Sequence, residues 1–89
     1  MTAMTEDMLA RLADDAEYFQ PRPFAVYGLA RDIGGCGAVP FIGWGLDLGE
    51  DQGAVFWDPV TGITHLSISA EHVLNTHCRT GEAHLKWLD

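Results

Sequence analysis

The chain has 89 residues, a length that allows one small domain with a thin hydrophobic core. Thirteen Asp and Glu against five Lys and Arg give a formal net charge of −8, and the 47 residues from Asp32 to Cys78 contain no Lys or Arg. A surface of that sign repels phosphate backbones and anionic lipid headgroups, which argues against direct binding to nucleic acid or a membrane and permits a basic protein partner.

The chain shows no targeting or membrane signal that we can identify. No segment approaches the roughly 20 consecutive apolar residues of a membrane-spanning helix. Residues 1–15 are acidic and lack the basic start and apolar run of a signal peptide. Two cysteines, Cys36 and Cys78, do not indicate a disulfide framework. These features predict a single cytoplasmic domain over residues 1–89 with free thiols.

Residues 5–19, TEDMLARLADDAEYF, predict an N-terminal helix. Apolar residues recur near helical spacing, at Met8, Leu12, Ala16 and Phe19. Thr5 is suited to be the N-cap of this helix. Pro21 and Pro23 end it, because neither has a backbone N–H to donate and each biases the preceding residue away from helical conformation.

Five later segments predict β-strands. FAVYGLA at 24–30 is apolar on both faces, which is typical of a strand inside a sheet. After a glycine-rich connection, RDIGGCGAVP, the segments FIGWGLDL, AVFWD and ITHLSIS alternate with turns at GEDQG and PVTG and indicate a meander. A short helix, AEHVLNTHC, which we expect Ser69 to cap and Gly81 to stop, leads to a final strand, AHLKWLD.

This order of elements predicts an α+β fold. We expect an antiparallel sheet of four to five strands, with an N-terminal helix, a short helix before the last strand, and both helices covering one face. Alternation places Ile42, Trp44, Leu46 and Leu48 together, and we assign Trp44 and Trp87 to the inward face. In AVFWD, either Phe56 or Trp57 must face outward, because neighbouring side chains point to opposite faces.

Residues 72–84, HVLNTHCRTGEAH, concentrate three of the four histidines and one cysteine. Helical zinc ligands are three or four residues apart, whereas His72 and His77 are five apart, or about 140° around a helix. We therefore expect no cofactor, with a stripe facing the sheet at Val73, Leu74, His77 and Cys78, and with His72 and His84 in solvent. The alternative is a metal site assembled by folding from His65, His77, Cys78 and His84.

Other catalytic patterns are weak, and we predict that the protein is not an enzyme. Cys36 lies in GGCG, where backbone amides could activate a thiol, but no base and orienting group accompany it. Asp47, Glu50 and Asp51 lack the alternating ligands of a calcium loop and are interpreted as a hairpin turn. The glycines of GLARDIGGCG do not form a phosphate-binding loop.

The C-terminal segment SAEHVLNTHCRTGEAHLKWLD carries a spaced set of residues: Ser69, Val73, His77, Gly81, Trp87, Leu88 and Asp89. This set resembles a tail found in small uncharacterised proteins of actinobacteria and of their phages and mobile elements. GWGLDLGEDQGAVF is similar to the W-G hairpin that often precedes that tail. The resemblance covers less than half of the chain and carries no known activity, and it implies an accessory, mobile-element or regulatory protein.

Charge and aromatic content together predict a non-enzymatic module that binds a basic protein. An exposed aromatic residue with a charged rim is typical of a recognition site, and the expected partner-binding residues are Asp47, Glu50, Asp51, Trp57 and Asp58. A nucleic-acid-handling protein that is inhibited by the contact is one such partner. Two alternatives stay open: a metal- or thiol-dependent protein that uses the Cys/His cluster, and a homodimeric structural domain.

Overall fold

The computed structural model describes residues 3–31 and 37–89. The elements in this part of the chain are α1 (Ala3–Tyr18), β1 (Arg22–Arg31), β2 (Ala38–Asp47), β3 (Ala54–Asp58), β4 (Ile63–Ser67), α2 (Ala70–Cys78) and β5 (Gly81–Trp87). The five strands form one antiparallel sheet in the order β4-β3-β2-β1-β5. The predicted α+β fold, with an N-terminal helix and a short helix before the last strand, is confirmed.

The path of the chain explains this strand order. Strands β1 to β4 follow one another as a meander, and α2 then carries the chain back across one face so that β5 pairs with β1. Strand β1 therefore has a neighbour on each side, as its two apolar faces predicted. We call the side of the sheet on which α2 packs the helix face, and the opposite side the open face.

The hydrophobic core lies between the helix face and α2. Its buried members are Phe24, Val26, Ala54 and Phe56 from the sheet and Ala70 and Val73 from α2. Partly buried residues pack around them: Phe41, Leu74, Ala83, Leu85 and Trp87. The expected inward position of Trp87 is confirmed, and its ring meets that of Phe24 edge to face with centroids 5.9 Å apart.

The expected inward position of Trp44 is wrong, because Trp44 lies on the open face and is 46% exposed. The helix face of β2 carries Gly43 and Gly45 instead. A Cβ on Gly43 would lie less than 3.0 Å from three ring carbons of Phe56, and a Cβ on Gly45 would meet the ring of Phe24. The aromatic rings of β1 and β3 thus fill the volume that β2 leaves empty, and the large side chains of β2 point the other way.

Helix α1 does not cover the sheet, so the expectation that both helices cover one face is wrong for α1. It begins at Ala3, two residues before the predicted cap Thr5, and none of its residues is buried. The chain measures 65 × 22 × 19 Å, with a radius of gyration of 17.8 Å against about 12 Å for a compact domain of this length. The helix ends before Pro21 and Pro23, which favour extended backbone, and it projects from one end of the sheet.

The two hairpin turns form as predicted. In the β2–β3 turn, the Asp47 carboxylate accepts a hydrogen bond from the Gly49 N–H at 2.8 Å, and Asp51 has a φ of 65°. In the β3–β4 turn, the Asp58 carboxylate accepts one from the Val60 N–H at 2.9 Å.

The predicted connection between β1 and β2 is shorter than expected because both strands extend into it. Cys36 lies outside the described residues.

Helix α2 begins and ends as predicted, but Gly81 does not stop it. The Ser69 hydroxyl accepts a hydrogen bond from the His72 N–H at 3.0 Å, which satisfies a free donor of the first turn. The helix ends at Cys78, the last residue of the predicted segment, but the stopping role expected of Gly81 is wrong, because Arg79 is the C-cap and Gly81 is the first residue of β5. Gly81 lies against the backbone of β1, and a Cβ there would be 3.0 Å from the Cα of Ala30.

Candidate protein-interaction surfaces

The open face of the sheet is a continuous apolar surface. Its large side chains are between 41% and 84% exposed: Tyr27, Leu29, Ile42, Trp44, Leu46, Trp57 and Leu66. The strand register brings them side by side, since Tyr27 pairs with Ile42 and Ile42 is two residues from Trp44. Exposed apolar surface of this kind is uncommon on a monomer and is typical of interaction sites.

Two stacked aromatic pairs lie on the open face. Trp44 and Trp57 are direct cross-strand neighbours, with ring centroids 6.4 Å apart and ring planes at 24°. Tyr27 stacks in the same way on His84, with centroids 5.6 Å apart. Of the two candidates in AVFWD, Trp57 is thus the outward residue and Phe56, at 2% exposed, is the inward one. Large, rigid aromatic side chains of this kind are enriched at the energetic centres of protein interfaces.

The open face contains shallow depressions and no deep cleft among the described residues. Three of them, of about 420, 450 and 440 Å³, adjoin one another. Trp44 lines the first and third, and Ile42 lines the second and third. Their lining is mainly apolar, without the convergent polar groups that orient a small ligand. The shape therefore favours contact with another folded surface.

Negative charge is concentrated at one end of the molecule. Helix α1, the β2–β3 turn, the start of α2 and the C-terminus all lie at the end where β1 begins. In the strand register, Arg22 of β1 lies opposite Asp47 of β2. The Asp47 carboxylate also accepts a hydrogen bond from the Ala70 N–H at 3.2 Å. We call this half of the molecule the acidic end.

The acidic end has a net charge of −7, because it holds ten acidic residues and three basic ones, Arg11, Arg22 and Lys86. The ten acidic residues are Glu6, Asp7, Asp14, Asp15, Glu17, Asp47, Glu50, Asp51, Glu71 and Asp89. At the opposite end, the described charges balance. Ion pairs within residues 3–31 and 37–89 join only Arg22 to Asp89 and His84 to Glu82. Of the ten carboxylates of the acidic end, only that of Asp89 is in an ion pair within these residues.

The Arg22–Asp89 pair connects the start of β1 to the C-terminus. The Arg22 guanidinium donates hydrogen bonds of 2.7 and 3.1 Å to the carboxylate, and it lies over the Trp87 ring at 3.9 Å. The hydrogen bond from Arg22, together with the attraction of its charge, lowers the pKa of Asp89. The same contact raises the pKa of Arg22. Both side chains are solvent-exposed, so salt screens the pair.

The five predicted partner-binding residues do not form one patch. Glu50 and Asp51 are exposed in the β2–β3 turn at the acidic end. Asp47 and Asp58 lie on the helix face, and their carboxylates accept backbone N–H groups of the turns. Trp57 lies on the open face. The acidic rim expected around Trp57 from Glu50, Asp51 and Asp58 is therefore not formed on the open face.

Sequence reasoning missed the exposure of Ile42, Trp44 and Leu46. A usable signal was present in FIGWGL, where glycine alternates with large apolar residues. A strand with glycines on one face leaves space there for rings from neighbouring strands. Alternation alone cannot show which of the two faces is the core.

The four residues of the alternative metal site are not all brought together, although His65 and His77 line one pocket beside α2. His65 lies on the helix face of β4, whereas His84 lies on the open face and stacks on Tyr27. His77 packs against Phe41 and Phe56, and its Nδ1 is 2.9 Å from the Val73 carbonyl oxygen. Over residues 3–31 and 37–89, no group of three or more His, Cys, Asp or Glu side chains has the arrangement of a metal site.

The expected sheet-facing stripe of α2 is only partly correct. Val73 is buried, and Leu74 and His77 are half-buried. Cys78 is exposed, and its Sγ donates a weak hydrogen bond to the Ala83 carbonyl at 3.7 Å. His72 and His84 are exposed, as predicted. The short helix therefore contacts the core through its first two turns.

Comparison of the chain with protein-family models, with curated proteins and with solved structures gave no match. Neither of the two described helices is long and apolar enough to cross a membrane.

Proposed function

We propose that this chain is a non-enzymatic, regulatory binding module that engages a basic protein through its acidic end. The observation that supports this proposal is the net charge of −7 at that end, where only Asp89 among the ten carboxylates is in an ion pair within the described residues. Unpaired charge of one sign speeds the encounter with a partner of the opposite sign and orients it.

Nucleic-acid-handling proteins are the class of basic partner that fits best. Such proteins present Lys and Arg to the phosphate backbone. A protein with many carboxylates at one end would contact the same side chains and obstruct the binding of DNA or RNA. In this finer form of the proposal, the chain is an inhibitor of such a protein.

The first experiment is an affinity capture from a lysate of the source organism. The immobilised chain should retain a basic protein at about 0.1 M salt and release it at about 1 M, because the Debye length falls from about 10 Å to about 3 Å over that range. A partner that stays bound in strong salt would contradict the electrostatic proposal.

Two charge reversals provide a matched comparison. Glu50 and Glu82 are both exposed glutamates, but Glu50 lies at the acidic end and Glu82 near the other end of the sheet. Glu50→Lys should weaken retention at low salt, and Glu82→Lys should change it little. Equal effects of the two substitutions would mean that only total charge matters and that the acidic end is not the contact.

Inhibition is tested on the retained protein after purification. Its complex with duplex DNA or with RNA should dissociate when the chain is added, and Glu50→Lys should be the weaker competitor. Formation of a ternary complex, with nucleic acid still bound, would count against the inhibitor form of the proposal.

A further inference from the structure

Two apolar surfaces are uncovered within the described residues. One is the open face of the sheet. The other is the stripe of α1 formed by Met4, Met8, Leu9 and Leu12, which are between 51% and 76% exposed. An amphipathic helix and a one-sided sheet are each stable only when another layer covers the apolar side, and each has the shape that covers the other.

The chain exposes more surface than a compact monomer of its mass, as expected of one subunit taken out of a dimer. The accessible surface is 6809 Å², whereas a compact protein of 9.7 kDa exposes about 5,100 Å². The excess is roughly 1,700 Å² per chain, or about 3,400 Å² for two chains, and obligate homodimers bury about 2,000–5,000 Å². The buried core of a single chain is small, with Phe24 and Phe56 as its only buried aromatic residues among those described.

Helix α1 also has the right dimensions. Its 16 residues span about 24 Å, and the 10 residues of β1 and of β2 span about 33 Å. The helix therefore fits on the open face without overhang. On its own chain it cannot reach that face in the observed arrangement, because it projects beyond the end of the sheet.

The charge distribution of the open face favours a second copy of this chain over a basic protein as its partner. The open-face residues of β2 and β3 are uncharged: Pro40, Ile42, Trp44, Leu46, Val55 and Trp57. A basic protein would find no carboxylate on these two strands, and the open-face carboxylate of the described strands is that of Glu82 on the edge strand β5. Two acidic chains can meet there, because the helical spacing places Glu6, Asp7 and Asp14 away from the stripe of α1, whereas Asp15 lies on the side of the stripe at its C-terminal end. Lys86, which is on the open face and outside the described ion pairs, is available to the acidic helix.

We infer that two copies of this chain form an exchanged-helix dimer, in which the apolar stripe of each α1 packs across the open face of the other copy. The exchange covers both apolar surfaces in both subunits and gives a closed two-fold assembly. The acidic side of α1 stays in solvent, so the inference does not depend on the proposed function.

Molar mass in solution, measured by light scattering after gel filtration, tests the dimer. The wild type should have twice the monomer mass of 9.7 kDa. Ile42 and Ile63 are matched strand residues, 50% and 53% exposed, of which only Ile42 lies on the open face. Ile42→Lys should give a monomer, and Ile63→Lys should stay a dimer. A wild-type monomer, or a dimer that survives Ile42→Lys, would overturn the inference.

Cross-linking tests the exchanged helix even if Ile42→Lys impairs folding. In a background with Cys36 and Cys78 replaced by Ser, chains with Leu12→Cys are mixed with chains with Ile42→Cys and oxidised. A disulfide between the two kinds of chain is expected. Chains with Glu17→Cys, on the polar side of α1, should not couple to Ile42→Cys. Failure of the Leu12→Cys mixture to couple, or equal coupling by Glu17→Cys, would overturn the helix exchange.

Discussion

The ring of Phe56 lies against the backbone of Gly43 on the neighbouring strand, where even a methyl group on Gly43 would come within 3.0 Å of three ring carbons. This contact determines which face of the sheet is the core. Phe56 is 2% exposed because Gly43 leaves it room, and Trp57, the next residue, is turned to the open face.

Gly43→Ala should destabilise the fold by about 1–3 kcal/mol, since the added methyl group must displace a buried aromatic ring. Urea unfolding at one protein concentration measures the change in the free energy of unfolding. Val39→Ala, at an exposed position of the same strand, is the control and should change it by less than about 0.5 kcal/mol. Similar effects of the two substitutions would show that Phe56 has space to move.

Ser69→Ala should lower the free energy of unfolding by about 1 kcal/mol, because it removes the hydrogen bond acceptor for the His72 N–H. Ser69→Asp keeps an acceptor and adds a negative charge at the N-terminus of α2, so it should retain most of the stability. Urea titrations of both variants make the comparison. If Ser69→Asp loses as much as Ser69→Ala, the cap does not stabilise α2 as described.

The Arg22–Asp89 pair should make stability depend on pH. The pKa of Asp89 is lowered by the hydrogen bond from Arg22, so its contribution is present above the unfolded-state pKa and is lost as the pH falls through the folded-state pKa. The unfolding curves of the wild type and Asp89→Asn should therefore differ at neutral pH and converge in acid. A constant difference at every pH would assign the effect of the substitution to packing.

His77→Ala should cost about 1–3 kcal/mol, because the ring is packed against Phe41 and Phe56. His72→Ala is the matched control, since His72 is an exposed histidine of the same helix, and its effect should stay within about 0.5 kcal/mol. Thermal unfolding of the wild type and of both variants, with and without zinc, shows whether His77 stabilises the fold by packing or by binding a metal. Zinc that stabilises the wild type but not His77→Ala would support the metal alternative and contradict the packing role.

The candidate surfaces could be predicted only in part. Net charge, an outward aromatic residue at position 56 or 57 and the turn position of Glu50 follow from the sequence. The gathering of carboxylates at one end does not, because it depends on strand register and on the direction in which α1 leaves the sheet. The carboxylates of Asp47 and Asp58 also accept hydrogen bonds from backbone N–H groups of the turns, and that role competes with binding a partner.

The sequence by itself determined the type and order of the elements, because helical spacing, strand alternation, turn residues and the Ser69 cap are local properties. Tertiary structure alone decided which side of the alternating β2 strand became the core. An alternating strand is compatible with either choice, and Phe24 and Phe56 from neighbouring strands settled it by filling the space above Gly45 and Gly43. The open face follows from that packing.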